Sequence, residues 1–154
     1  MPDKQKKYFL IAIGVAAITI FTLSTFGIPK DDIGLSRYIL NGLVNGSYGI
    51  EKLIDWKALR AGNVDVAGVF SQYTTDKQRS NYKKAFVKGF SASFKQTGAK
   101  MSDFINWRIF EKGPETATVA IDGQGGTVLF TLSNQDSAKK LVKIEWKPKK
   151  PSQP

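Results

Sequence analysis

The chemistry open to this chain is narrow, because its 154 residues include no His and no Cys. That removes Ser-His-Asp and Cys-His nucleophilic catalysis, thiol redox, disulfides and every zinc site built from imidazole or thiolate. Acid–base work is left to carboxylates, and a catalytic carboxylate must sit at an inward position. Asp122 falls in the glycine-rich turn Asp122-Gly123-Gln124-Gly125-Gly126, Asp103 stands at a strand start, and Glu145 alternates out of phase with Val142, Ile144 and Trp146. Asp55, beside Trp56, is the acid best placed to serve as a base, and a solvated helix residue is the stronger expectation for it. The glycine-rich turn lacks the Lys and the following helix of a phosphate cradle. No metal-ligand spacing is visible and no cofactor is called for.

Binding chemistry is more abundant. With 23 Lys+Arg against 13 Asp+Glu the formal charge is +10, which favours phospholipid headgroups, nucleic acid or an acidic protein or polymer. Lys77, Lys84, Lys88 and Lys95 occupy one face of a predicted helix, while Tyr82, Phe86, Phe90 and Phe94 recur every fourth residue on another. Arg79 and Lys83 add to the basic surface. A displayed mixture of this kind would suit nucleic acid, but these aromatics are expected on the buried side, so headgroup contact or a merely solvated face is preferred. Tyr38, Trp56, Phe86, Phe90, Trp107, Phe130 and Trp146 are large and lie on apolar faces, as a ligand pocket would require. A domain of this size also needs such residues to build its core, and core packing is the first expectation for them.

The elements that must position these residues begin with an apolar run, Tyr8 to Ile28, that carries no charge and follows Lys4, Lys6 and Lys7. A bilayer core of about 30 Å takes about 20 apolar residues in a helix, so the length favours an uncleaved transmembrane anchor over residues 8–28. A secretory signal peptide cleaved near Thr25 and Gly27 is the alternative, and a buried core helix is disfavoured by the absence of a polar stripe. The basic flank places residues 1–7 in the cytoplasm and exports the C-terminal domain. The expected location is therefore the cytoplasmic membrane in a single pass, or the periplasm after cleavage.

Beyond Pro29, apolar spacings of three and four from Ile33 to Ala61 predict two helical pieces broken at Asn45-Gly46-Ser47. Residues 62–73 read as a loop with one short strand. Thr75 and Gln78 form a capping-box start for a helix ending near Gln96, with Gly98 as its stop. From Phe104 the period changes to two, giving four strands around Trp107, Val119, Phe130 and Ile144 joined by hairpin-length turns. The basic, proline-containing tail from Lys147 is expected to stay unpaired. Helices first and strands afterwards predict an α+β domain over residues 33–147, with an antiparallel meander wrapping amphipathic helices.

This order of elements resembles the nuclear transport factor 2-like superfamily, the cone-shaped fold of many lumazine-binding-like exported bacterial proteins. The residues that carry the resemblance are Leu43-Val44-Asn45-Gly46-Ser47-Tyr48, Tyr82-Lys83-Lys84-Ala85-Phe86, Asn106-Trp107-Arg108-Ile109 and the closing Lys140-Leu141-Val142-Lys143-Ile144-Glu145-Trp146. The resemblance implies a concave sheet closed by helices, around a cavity that some members use for a small ligand and others fill. Ketosteroid-isomerase-like members would be enzymes, which is the alternative expectation here. The main one is a non-catalytic binding or assembly module on the outer side of the cytoplasmic membrane, which holds a hydrophobic small ligand or docks envelope proteins, with a homodimer as a further option.

Overall fold

The computed structural model describes residues 27–134 and 138–149. The apolar run expected to cross the membrane lies outside the described residues except for Gly27 and Ile28, as does the tail from Lys150. Among the described residues no helix is long and apolar enough to cross a membrane.

Helix α1 spans Asp32–Asn45. Asp31 caps it by accepting from the Gly34 amide at 2.7 Å, and Gly46, at φ 64°, ends it in the left-handed region that glycine enters without strain. Its Leu35, Ile39 and Leu43 are buried one above the other on a single stripe, pressed onto the inner face of the sheet. The second helical piece expected before Ala61 is replaced by a single 3-10 turn, Ile50–Leu53, and two short sheet-paired pieces separated by a turn at residues 56–58. Ile54 bridges Leu141, the Asp55 amide donates to the Leu141 carbonyl at 2.9 Å, and strand β1, Arg60–Ala61, pairs parallel with Lys143 and Ile144. Sheet hydrogen bonds thus claim a backbone whose local apolar spacing favoured a helix.

The loop expected after Gly62 is in part a helix, α2, Val66–Ser71, capped by Asp65. Val66 and Phe70, four residues apart, are both buried, and that burial sustains a helix too short to stand alone. Helix α3, Asp76–Gln96, opens with the expected capping box: Thr75 accepts from the Gln78 amide while the Gln78 side chain accepts from the Thr75 amide. It packs on α1 rather than directly on the sheet.

The remaining strands are β2 (Ile105–Lys112), β3 (Thr116–Gly123), β4 (Gly126–Ser133) and β5 (Lys140–Pro148), in spatial order β1-β5-β4-β3-β2. The meander from β2 to β5 is antiparallel as expected, but the parallel β1 makes the five-stranded sheet mixed. Strand β5 runs through Lys147 and Pro148, and the Lys149 amide donates to the Gly125 carbonyl, so the start of the expected tail is paired. Gly126 makes that pairing possible: a Cβ there would lie 2.2 Å from the Lys147 carbonyl oxygen.

The core sits between α1 and the inner face, where Val119, Ile121, Phe130, Leu132 and Leu141 are wholly buried. On the outer face, Phe110 of β2 and Lys147 of β5 meet with the ammonium 5.0 Å from the ring centroid, and Ala120 and Leu129 between them are buried. Arg108 donates to Asp122 at 2.8 Å on that same face.

Candidate binding clefts

Three clefts open around α1 and α3. The largest, about 1290 Å³, lies between the first half of α3 and the stretch from Glu51 to Ala58. Trp56 shapes it. Its indole donates to the Glu51 carbonyl at 2.8 Å and its ring meets Tyr82 and Phe86 edge-on, at centroid distances of 6.2 and 5.4 Å, and Phe70 at 6.0 Å. This cluster is a wall rather than a display, since Trp56 and Phe70 are buried. Burial pushes the Tyr82 hydroxyl above its usual pKa, and Tyr73 beside it adds to the effect.

Around that wall stand Lys52, Lys57, Arg79, Lys83, Lys84 and Lys140, none of which has a carboxylate partner among the described residues. Lys83 and Arg79 lie over the Phe70 ring at 5.5 and 6.0 Å. The three acids lining the cleft are partly engaged: Glu51 accepts from the Gly49 amide, Asp55 accepts from the Lys57 amide, and Asp76 occupies the first turn of α3. Six cations against three carboxylates give the cleft a surplus of positive charge within one concave surface, which strengthens the local field.

The second cleft, about 460 Å³, is lined by Lys84, Lys88, Lys95 and Tyr48, with the Lys84 ammonium 5.9 Å from the Tyr48 ring. Lys84 therefore joins the two basic clefts. Lys77 shares the stripe of Lys84, Lys88 and Lys95 on α3 but lines none of the three clefts. Lys52, Lys57 and Lys140 were not singled out by the sequence, because they come from the 3-10 turn, the turn at residues 56–58 and β5, and reach α3 only through the tertiary fold.

The third cleft, about 900 Å³, separates α1 from the start of β2 and is lined by Pro29, Ile33, Tyr38, Met101, Phe104, Ile105 and Trp107. Arg37 is its single charged liner, with the guanidinium 4.9 Å over the Trp107 ring. The Trp107 indole donates to the Phe104 carbonyl at 3.0 Å.

The seven residues considered for one ligand pocket are thus dispersed. Tyr38 and Trp107 share the apolar cleft, while Trp56 and Phe86 pack together beside the basic one. Phe90 is half-buried against the core, Phe130 is wholly buried within it, and Trp146 is exposed beside Gly125. The acids considered for catalysis are dispersed as well. Asp103 accepts from the Lys100 amide, Glu145 pairs with Lys143, and Asp122 lies on the outer face. The Arg108 guanidinium and the Thr127 hydroxyl hold the Asp122 carboxyl below the usual carboxylate range. No group of three acidic side chains able to hold a metal gathers among the described residues.

No protein-family model, curated protein or solved structure matches this chain. The functional reading accordingly stands on the clefts themselves.

Proposed function

We propose that the chain is a membrane-anchored, non-catalytic docking module of nuclear transport factor 2-like form, exported to the outer side of the cytoplasmic membrane. Its basic cleft takes an acidic segment of another envelope protein. The observation that carries this reading is the set of six cations around the α3 cleft that have no carboxylate partner among the described residues. Helices that precede a meander and cover one of its faces support the likeness of fold. Holding a hydrophobic small ligand is the less favoured role, since Val119, Ile121, Phe130 and Leu132 fill the inner face against α1.

Binding of a dye-labelled oligoglutamate peptide to the full chain in mild detergent tests the proposal by fluorescence anisotropy. Charge reversal at Lys83 and Lys84 together is expected to weaken binding about tenfold or more, and raising the salt to weaken it in the wild type. Lys77→Glu, outside the clefts, is expected to have a small effect. Binding that ignores the Lys83 and Lys84 reversals would overturn the cleft as the docking site. An oligonucleotide of equal charge that bound far more tightly would move the reading to nucleic acid.

A further inference from the structure

We propose that the apolar cleft between α1 and β2 is a lipid-facing surface, seated in the headgroup region of the bilayer from which the anchor emerges. The inference rests on the anchored reading above and adds which face of the domain meets the membrane.

Three observations carry it. First, the connection is short. The uncharged run ends at Ile28, and the next residue, Pro29, already lines the cleft. Residues 27–30 are not helical, but a residue spans at most about 3.6 Å, so an apolar run that leaves the hydrocarbon near Ile28 brings the Pro29 edge of the cleft to within about 10 Å of that boundary. The headgroup zone on each side of a bilayer is itself about 5–8 Å deep. Second, the lining matches that zone. Tyr38 and Ile105 are 43% and 55% exposed, and with Pro29, Ile33, Met101 and Trp107 they make a mainly apolar surface with aromatic edges, into which Asn41, Ser102 and Asn106 bring uncharged polar groups. Third, the charge has the right sign. Among the described residues no carboxylate lines this cleft and Arg37 is its single charged liner, with a guanidinium over the Trp107 face that presents a cation toward phosphate oxygens. The basic α3 cleft shares no lining residue with it, so lipid contact and docking of an acidic partner use different faces.

The absence of Cys makes the test direct. Single cysteines placed as Ile105→Cys, Tyr38→Cys and Asn63→Cys in the full chain would each carry a bimane fluorophore. All three side chains are exposed, so the packing is left intact. Asn63 follows β1, at the sheet edge opposite β2, about 19 Å away at strand spacings of about 4.8 Å. The labelled chains are reconstituted into phosphatidylcholine–phosphatidylglycerol vesicles in which part of the lipid is brominated high on the acyl chains. Quenching at positions 105 and 38 is expected to exceed that at 63 at least threefold. Equal quenching at all three positions in chains that float with the vesicles overturns the lipid-facing surface and leaves the anchor standing. Chains that fail to float with the vesicles overturn the anchor, and this inference falls with it.

Discussion

The Ser91 hydroxyl, in the middle of α3, donates to the Val44 carbonyl at 2.7 Å, in the last turn of α1. A terminal carbonyl of one helix, which its own ladder cannot satisfy, is satisfied by the neighbouring helix. Gly46, left-handed at the end of α1, faces the same serine: a Cβ there would lie in van der Waals contact with Ser91, at 3.6 Å. Ser91→Ala leaves a buried carbonyl unpaired and is expected to cost about 1–2 kcal/mol in urea unfolding. A loss below a few tenths would show that water replaces the hydroxyl.

Asp32 ties three segments together. Its buried carboxylate accepts from Lys112 at the end of β2, at 3.1 Å, and from Lys139 before β5, which also donates to the Lys30 carbonyl. Burial pushes the Asp32 pKa up, but the two ammonium groups outweigh it and hold the carboxyl below the usual carboxylate range. A lowered folded pKa means that the node stabilises above the unfolded value, about 3.9, and that this contribution is lost as pH falls through the folded value. Asp32→Asn is expected to cost about 1–3 kcal/mol at neutral pH, toward the lower end because Lys112 is largely solvated. The difference from wild type should shrink at pH 3 and below. A difference that stayed constant from pH 7 to pH 2 would deny the charge its role.

Phe130 and Phe90 separate core from rim. Phe130 is wholly buried in the inner face, whereas Phe90 is half-buried on α3. Phe130→Ala is expected to cost about 3–5 kcal/mol, and Phe90→Ala about half as much, since part of its ring already meets water. Chemical denaturation of the two variants compares them directly. Equal large losses would mean that α3 is clamped more tightly in solution than this packing implies.

Topology is checked independently of binding. In spheroplasts, protease added from outside is expected to degrade the domain beyond Lys30, in keeping with the basic flank that precedes the apolar run. Protection until the membrane is broken would place the domain in the cytoplasm and remove the envelope partner.

Local signals predicted the local devices. The Thr75–Gln78 capping box, the fourfold aromatic repeat and the glycine turn after Asp122 announce α3 and the β3–β4 hairpin because each depends on residues within one turn of chain. The aromatic repeat was legible as to helix but not as to burial. Each step of four residues advances about 40° around the axis, so the ridge winds away from the contact line. Tyr82 and Phe86 meet Trp56, Phe94 stacks on Phe104 at 5.8 Å, and the deepest α3 residues are Val87 and Ser91.

Strand phase was legible only in part. Strict alternation in β5 puts Leu141 opposite in facing to Ile144 and Trp146. Thr131 pairs with Lys143 while Leu132 pairs with Leu141, so Val142 is bulged and Leu141 turns into the core. A bulge leaves no mark in hydropathy, because the partner strand decides it.

The sequence by itself determined the balance of charge, the absence of imidazole and thiol chemistry, the helix-then-strand order and the four strands of the meander. These follow from composition and from periods of two and 3.6, which any short window carries. Only the tertiary structure decided that Ile54 and residues 60–61 would pair with β5 on either side of a turn, that Lys52, Lys57 and Lys140 would join Lys83 and Lys84 around one cleft, and that Pro29 would border another with Ile105. Each of these juxtaposes residues separated by tens of positions, and such a contact is fixed by the packing of whole elements rather than by any local preference.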